Sequence, residues 1–355
     1  MREYFISFDV HCAFTEVAVV TARGERVARG RCATKIPDLT AMIQGVPRRR
    51  YLTFEEGPMA GWLYRHLREE VDELVVCEPR RNHLVAKDSD KDDAIDAEKL
   101  AHLFRGGYLK KVHQAEELDR ALFKQHVGLY HDRVRRRVSE ANVIMAQLRR
   151  HGVFVRESRF GDGDGRRGLL ARLPESGALR ANLELLWQGY DRLLEQEDQM
   201  RCRLVQLARK YEPLRRFVEV PGVAWVRAAT FFAYVDTPAR FSSKSALWRY
   251  TGIGLERSHS GQGPVRVQVA QYAHRLLRGV LLGAAATAIR LPENPFHDQY
   301  VRWTQEQGIS ARNARRNVAR SLAATLWGMW KNGTAYRPEW VAIGGKTAEA
   351  FAAVG

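Results

Sequence analysis

Hydrophobic and polar positions alternate at the start of the chain. Residues 3–10, EYFISFDV, are rich in aromatic and β-branched side chains with a two-residue period, which predicts a strand. Thr15 to Thr21 predicts a second strand, and a turn at Arg23-Gly24 leads to a third, Arg26 to Ala33. Three strands with short connections read as an antiparallel meander. Tyr51 to Phe54 predicts a short strand, Met59 to Glu69 a helix, Glu73 to Cys77 a strand, and Asp92 to Phe104 a helix with apolar positions at Ile95, Leu100 and Leu103. A meander followed by alternating helices and strands predicts a mixed sheet with helices on its faces, the element order of a ribonuclease-H-like fold.

The period then becomes helical. One long helix is predicted from about Leu118 to Val155, then a flexible loop at Gly161 to Gly165, then a second long helix from about Ala178 to Tyr211. This pair suggests a helical hairpin or coiled-coil stalk. Beyond Glu212-Pro213 shorter helices are expected at Val226 to Tyr234, Ser243 to Tyr250, Ala270 to Ile289, Pro295 to Gln307 and Arg312 to Lys331, with a Gly/Ser loop at Gly252 to Gly263. The expected fold class is therefore α/β plus all-α. Its parts are a ribonuclease-H-like mixed-sheet domain at 1–112, a long-helix coiled-coil region at 113–214, a helical domain at 215–340 and a tail at 341–355.

Charge points to the partner. The 355 residues carry 57 Lys and Arg against 41 Asp and Glu, a formal charge of +16, which favours a polyanion. The excess sits on helical segments: residues 120–160 hold ten Lys/Arg and three Asp/Glu, and residues 257–331 hold eleven and three. Arg133, Arg135, Arg136, Arg137, Arg149 and Arg150 on the first long helix, and Arg312, Arg315, Arg316 and Arg320 on the last, are candidate phosphate contacts. Trp225, Trp248, Trp303 and Trp327 are read as helical core, with base stacking as the alternative. Cys12, Cys32, Cys77 and Cys202 show no zinc spacing and fit a reducing compartment, the cytoplasm. The longest apolar run, Val280 to Ile289, lies between Arg278 and Arg290 and reads as core, so no membrane partner is expected.

Four acids are candidates for chemistry. Asp9 ends the first strand and Glu55 immediately follows the fourth, both after apolar runs where a carboxylate is costly without a cation. Asp93 and Asp96, three residues apart, share one face of a helix. Together they make a set of oxygen ligands for a hard divalent cation, Mg²⁺ or Mn²⁺, of the kind used in phosphodiester cleavage. Each has a simpler reading: Asp93 as an acid favoured by the helix dipole, Asp9 as a solvated strand end, and Glu56 as a competitor of Glu55. Asp88, Asp90 and Asp92 read as solvated turn acids. Val220-Pro-Gly-Val223 allows two readings, a helix-hairpin-helix turn that holds a phosphate or a plain turn between packed helices.

These residues carry a family resemblance. FDV at Asp9, FEEGP at Glu55 and the Lys91–Ala97 segment KDDAIDA, followed by Glu98-Lys-Leu-Ala101, resemble the DEDD-type transposases of bacterial insertion sequences, the insertion sequence 110 family. Pro221 to Val223, Arg240 to Ser243, LWRYTGIG at Leu247 to Gly254 and NARRNVARSLAATLW at Asn313 to Trp327 are similar to that family's second domain, so the resemblance runs from about residue 3 to 338. It implies a DNA recombinase of a mobile element, acting on donor and target DNA. Some members are guided by a structured noncoding bridge RNA. It also implies a serine nucleophile beside the carboxylate-bound metal, with a phosphoserine intermediate that conserves the strand-break energy. In Arg257-Ser-His-Ser-Gly-Gln-Gly263 that serine is Ser260, which precedes Gly261, with Ser258 as the fallback; His259 stands where the family pattern has serine. Strand exchange needs several active sites, so a homo-oligomer, dimer or tetramer, is expected. Two other functions fit the residues alone: a metal-dependent nuclease or junction resolvase without a serine intermediate, and a non-catalytic nucleic-acid-binding protein whose acids pair with arginines.

Overall fold

The computed structural model describes residues 2–79, 93–160, 163–258, 266–269 and 273–342, and the chain forms two compact units, Met1–Ala121 and Leu122–Gly355. In the first unit β1 (Tyr4–Val10), β2 (Phe14–Thr21) and β3 (Arg26–Ala33) form the expected meander. After α1 (Ile36–Gln44) comes β4 (Arg50–Glu55), which pairs in parallel with β1. Then α2 (Ala60–Leu67) leads to β5 (Glu73–Cys77), parallel to β4. The sheet order is β3-β2-β1-β4-β5, a mixed five-stranded sheet of the ribonuclease-H-like kind.

The alternation seen in the sequence decides which face each side chain takes. Ile6 and Phe8 of β1, Leu52 and Phe54 of β4, and Leu74 and Val76 of β5 form one core with Leu39, Ile43, Leu63 and Leu67 of α1 and α2. The other face carries Phe5, Ser7 and Asp9 of β1 and Tyr51, Thr53 and Glu55 of β4. It is covered by α3 (Asp93–Arg105), whose buried Ala97, Leu100 and Ala101 follow the helical spacing. Helix α1 was not legible from the sequence. Buried Arg50 donates Nη1 to Ile43 O (2.9 Å) in the last turn of α1 and to Val46 O (3.0 Å) just beyond it.

The second unit is helical. The long helices α4 (Leu118–Arg150) and α6 (Gly177–Ala208) run antiparallel, with Arg133 reaching Gln196 and His126 reaching the Met200 carbonyl. Helix α4 stops at Arg150, short of the predicted Val155, because Gly152 takes a left-handed φ of 75° and Val153 N–H turns back to Leu148 O. Between them, α5 (Gly163–Leu170) is helix where a loop was expected, anchored by buried Leu169 in the core at the hairpin tip. At the base, Phe123, Val127, Leu204 and Ala208 share a core with α7 (Glu212–Phe217), α8 (Trp225–Val235) and α9 (Lys244–Tyr250). The sequence-expected boundary at 214–215 falls within this shared core.

The segment read as a Gly/Ser loop contains strand β6 (Leu255–Ser258), antiparallel to β7 (Arg266–Val269). Helices α10 (Arg275–Arg290), α11 (Pro295–Val301), α12 (Ala311–Asn332) and α13 (Pro338–Ala342) complete the unit. Trp327 is buried and donates Nε1 to Pro238 O; Trp248 donates Nε1 to Arg320 O; Trp225 and Trp303 pack half-buried on the same core, as the core reading expects. Among the described residues no helix is long and apolar enough to cross a membrane.

Two histidines are held neutral in this unit. His131 sits 2.8 Å from Thr230 Oγ1, and that hydroxyl donates to Val226 O, so the ring donates to it. Burial, helped by Arg135, pushes its pKa down to about 4. Burial, then Lys124 and Arg240, does the same to His274, which caps α10 by accepting from Leu277 N–H. Because the unfolded chain titrates near 6.5, it binds protons that the folded unit refuses between pH 6.5 and about 4. Stability from these sites is complete above pH 6.5 and falls as the pH drops through that window. Melting curves of the wild type and of His131→Gln should converge toward pH 4.5; parallel curves would show that this histidine is not responsible.

Candidate active site and nucleic-acid interface

Strand pairing sets two of the four acids side by side. In the parallel β1–β4 pair Phe8 lies opposite Phe54. The next residues, Asp9 and Glu55, therefore lie at the C-terminal ends of two neighbouring strands, and paired strands run about 4.8 Å apart. Both follow the alternation onto the face covered by α3. The C-terminal edge of parallel strands is where α/β sheets place their ligand-binding groups.

Contacts fix how α3 crosses that face. Phe104 packs edge-on to Phe5 at 5.6 Å, and Phe5 stacks on Tyr51 at 5.1 Å. Two residues further along β1, the buried Ser7 hydroxyl donates to Ala97 O at 2.5 Å. The helix thus runs antiparallel to β1. Asp9 lies about 6.6 Å beyond Ser7 along the strand, and position 93 lies about 6 Å beyond Ala97 along the helix. The start of α3 is therefore level with the ends of β1 and β4. Glu98 secures this placement through Arg29 of β3 at 2.8 Å, and Arg105 donates to Ala22 O at 3.1 Å.

The acids are not equivalent. Asp9 is half-buried, with His11 Nε2 at 3.2 Å from Oδ2. Glu55 and Asp96 are exposed, and Asp96 immediately precedes the tethered Ala97. For Asp93 the backbone alone is described. Among the described residues no group of three or more His, Cys, Asp or Glu side chains is close enough to hold a metal ion. The ends of β1 and β4 and the start of α3 lie at the same edge of the sheet. Asp88, Asp90 and Asp92 lie outside the described residues, as does Ser260; Ser258 ends β6, with its side chain outside them.

The sequence did not single out the neighbours of Asp9. Glu16 stands directly across the strand pair from Asp9, on the same face, where two like charges repel. Arg31 answers Glu16 at 2.5 Å and lies over the Phe14 ring, while His11 stacks on the other side of the problem, against Phe14 and beside Asp9. An Arg two strands away and a His two residues on leave no spacing signature.

The arginine faces divide into two kinds. On α4, Arg135 and Arg136 both pair with Asp132 yet remain well exposed; Arg133 contacts Asp132 and Gln196; Arg149 donates to Met145 O and Arg150 to Gln147. Arg137 is different: Glu197 and Glu157 bind its guanidinium and strengthen its hold on its proton, so this side chain fastens the hairpin. On α12, Arg312, Arg315, Arg316 and Arg320 pair with no carboxylate among the described residues. Arg312 and Arg315 line a cavity of about 370 Å³ with Tyr300, Ala286, Ile289 and Ala311. At Gly222 the turn rests against the backbone of α10, and its carbonyl accepts from Arg227 at 2.6 Å, so it matches a turn between packed helices.

The pattern of the DEDD transposases of insertion sequence 110 matches residues 6–152, and that of the transposase IS116/IS110/IS902 family matches residues 214–301. A protein of Sinorhizobium fredii (strain NBRC 101917 / NGR234), named "Putative transposase y4pF/y4sB", is 25% identical over 256 residues, covering 70% of this chain. The aligned part spans 64% of that relative's length. The first match contains β1, β4 and α3 with their acids, and the second contains the β6–β7 hairpin and α10. The chain belongs to the insertion sequence 110 family of transposases.

Proposed function

We propose that this chain is the DNA transposase, or recombinase, of an insertion sequence, which cuts and rejoins strands with a serine nucleophile and a carboxylate-bound divalent metal. The observation that carries the reading is the convergence of Asp9, Glu55 and the start of α3 at one edge of the sheet. Asp9, Glu55, Asp93 and Asp96 offer hard oxygen donors, the ligand type that Mg²⁺ and Mn²⁺ prefer. A cation held there would supply charge stabilisation to the phosphate oxygens of the strand being cut. His11 orients the Asp9 carboxylate, and Ser7 fixes the height of α3 over it.

Ser260, with Ser258 as the alternative, attacks the scissile phosphorus. The Oγ–P bond forms as the bond from phosphorus to one deoxyribose oxygen breaks, and that oxygen takes up a proton. A hydroxyl of the incoming strand then displaces the serine oxygen, which regains its proton. Arg133, Arg135, Arg136, Arg149 and Arg150 of α4, and the arginines of α12, bind the backbones of donor and target DNA and of a structured guide RNA. Leu122, Leu129 and Val143 are exposed on α4 at multiples of seven residues, a stripe suited to a second copy of the chain in a dimer or tetramer.

Trapping the covalent protein–DNA adduct and mapping its residue tests this. The adduct should fall on Ser260 or Ser258, and Ser260→Ala should remove it if Ser260 attacks. Cleavage that survives loss of both serines, without any adduct, would instead identify a water-using nuclease.

A further inference from the structure

Four arginines gather at the foot of the β6–β7 hairpin. Arg320 of α12 donates Nε to Ile253 O at 2.8 Å, two residues before β6 begins, and Nη1 to Asn317 at 2.9 Å. Its own carbonyl accepts from Trp248 Nε1 at 3.0 Å, which locks α9 to α12. Arg278 of α10 lies on Gly252: a Cβ at that glycine would come within 3.3 Å of Arg278 Cδ. Arg312, Arg316 and Arg320 are spaced four residues apart, so they form a column about 12 Å long on one face of α12.

Among the described residues the cluster has no counter-charge. No acidic side chain pairs with Arg278, Arg312, Arg316 or Arg320 among the described residues, in contrast to the carboxylate-paired arginines of α4. Burial and the nearby Arg312 and Arg278 weaken the hold of Arg316 on its proton, and burial and Arg316 do the same at Arg320. Like charges drawn together where they are partly buried oppose folding. An anion seated among them would turn that cost into attraction.

We infer that Arg278, Arg312 and Arg316 form a seat for a DNA phosphodiester at the foot of the hairpin, with Arg320 as a positioning residue that fixes Ile253. This deepens the proposed reading and rests on its DNA substrate. Planar guanidinium forks bind two phosphate oxygens at once, which sets the orientation of the strand as well as its affinity. Arg320 commits Nε to Ile253 and Nη1 to Asn317, so it holds the hairpin foot in place.

The test uses the full chain and a random-sequence DNA duplex, in EDTA so that no cleavage intervenes. Arg278→Gln/Arg316→Gln should weaken DNA binding and reduce its salt slope by roughly two, one for each lost phosphate contact. Without DNA the double variant should melt at the same temperature as the wild type or higher, because repulsion is relieved. Arg316→Lys, which keeps the charge, should retain most of the slope. An unchanged slope would overturn the seat. So would a lower melting temperature with the slope intact, or a loss confined to a structured RNA probe. If no serine adduct forms but the slope falls, the serine reading fails and the seat stands.

Discussion

Asp9→Asn is expected to cut strand cleavage by roughly 10²–10³-fold or more, while the protein stays folded. Asn is nearly isosteric with Asp, and the Asp9 side chain is about one-third exposed at a strand end, so the fold asks little of its charge. The Asn carbonyl oxygen can still accept from His11 Nε2. What disappears is a formal negative charge at the edge where β1, β4 and α3 meet, and with it one hard anionic ligand of the proposed cation site. DNA affinity in EDTA should be unchanged, because the arginines proposed to bind phosphate belong to α4, α10 and α12. A cleavage assay in Mg²⁺ with a parallel melting curve separates the two effects. Full activity in the variant would remove the metal account; equal loss of activity and melting temperature would make Asp9 structural.

The fold was legible where a short-range period carries the information. β1, β2 and β3 were visible in their alternation, and the long helices in their spacing. Elements defined by distant partners were not. α1 has a short stripe, Leu39 and Ile43, whose meaning depends on β1 and β4. β6 is four residues long and pairs with a strand eight residues after its end, so its Gly- and Ser-rich surroundings hid it. Glycines at 163, 165 and 168 argue against a helix, yet buried Leu169 in the hairpin-tip core outweighs them in α5.

The candidate site was readable to the same extent. Asp9 and Glu55 stand out because each follows an apolar strand run. The register that places them together, Phe8 opposite Phe54, is a property of the parallel pair and not of either segment. Arg278 lies one turn after Arg275 at the start of α10, ahead of its apolar run, and its companions are more than thirty residues further on in α12. Arg137 misled for the converse reason: it belongs to an arginine-rich stretch, but its two carboxylates come from Glu157 and Glu197. Charge density in sequence does not reveal which cations are already answered.

The largest stability effect is expected at a glycine. Gly222 has φ +81°, and a Cβ there would lie 2.3 Å from Ala284 O and 2.9 Å from Ala288 N of α10. Both atoms are helix backbone, and Leu277, Leu281, Ala284, Ala285 and Ala288 are buried, so α10 has nowhere to retreat. The turn cannot retreat either. Val220 and Val223 are buried, and Arg227 binds the Gly222 carbonyl and the Thr287 hydroxyl together. Gly222→Ala combines a left-handed backbone penalty with a backbone overlap, at a cost of about 3–5 kcal/mol. For a unit of this size that lowers the melting temperature by roughly 6–20 °C. Gly279→Ala is the matched control on the same helix: its Cβ would meet nothing within 4 Å, and Ala favours helix, so its melting temperature should hold or rise. A Gly222 variant that melts with the Gly279 variant would mean that the 221–223 turn is not seated on α10.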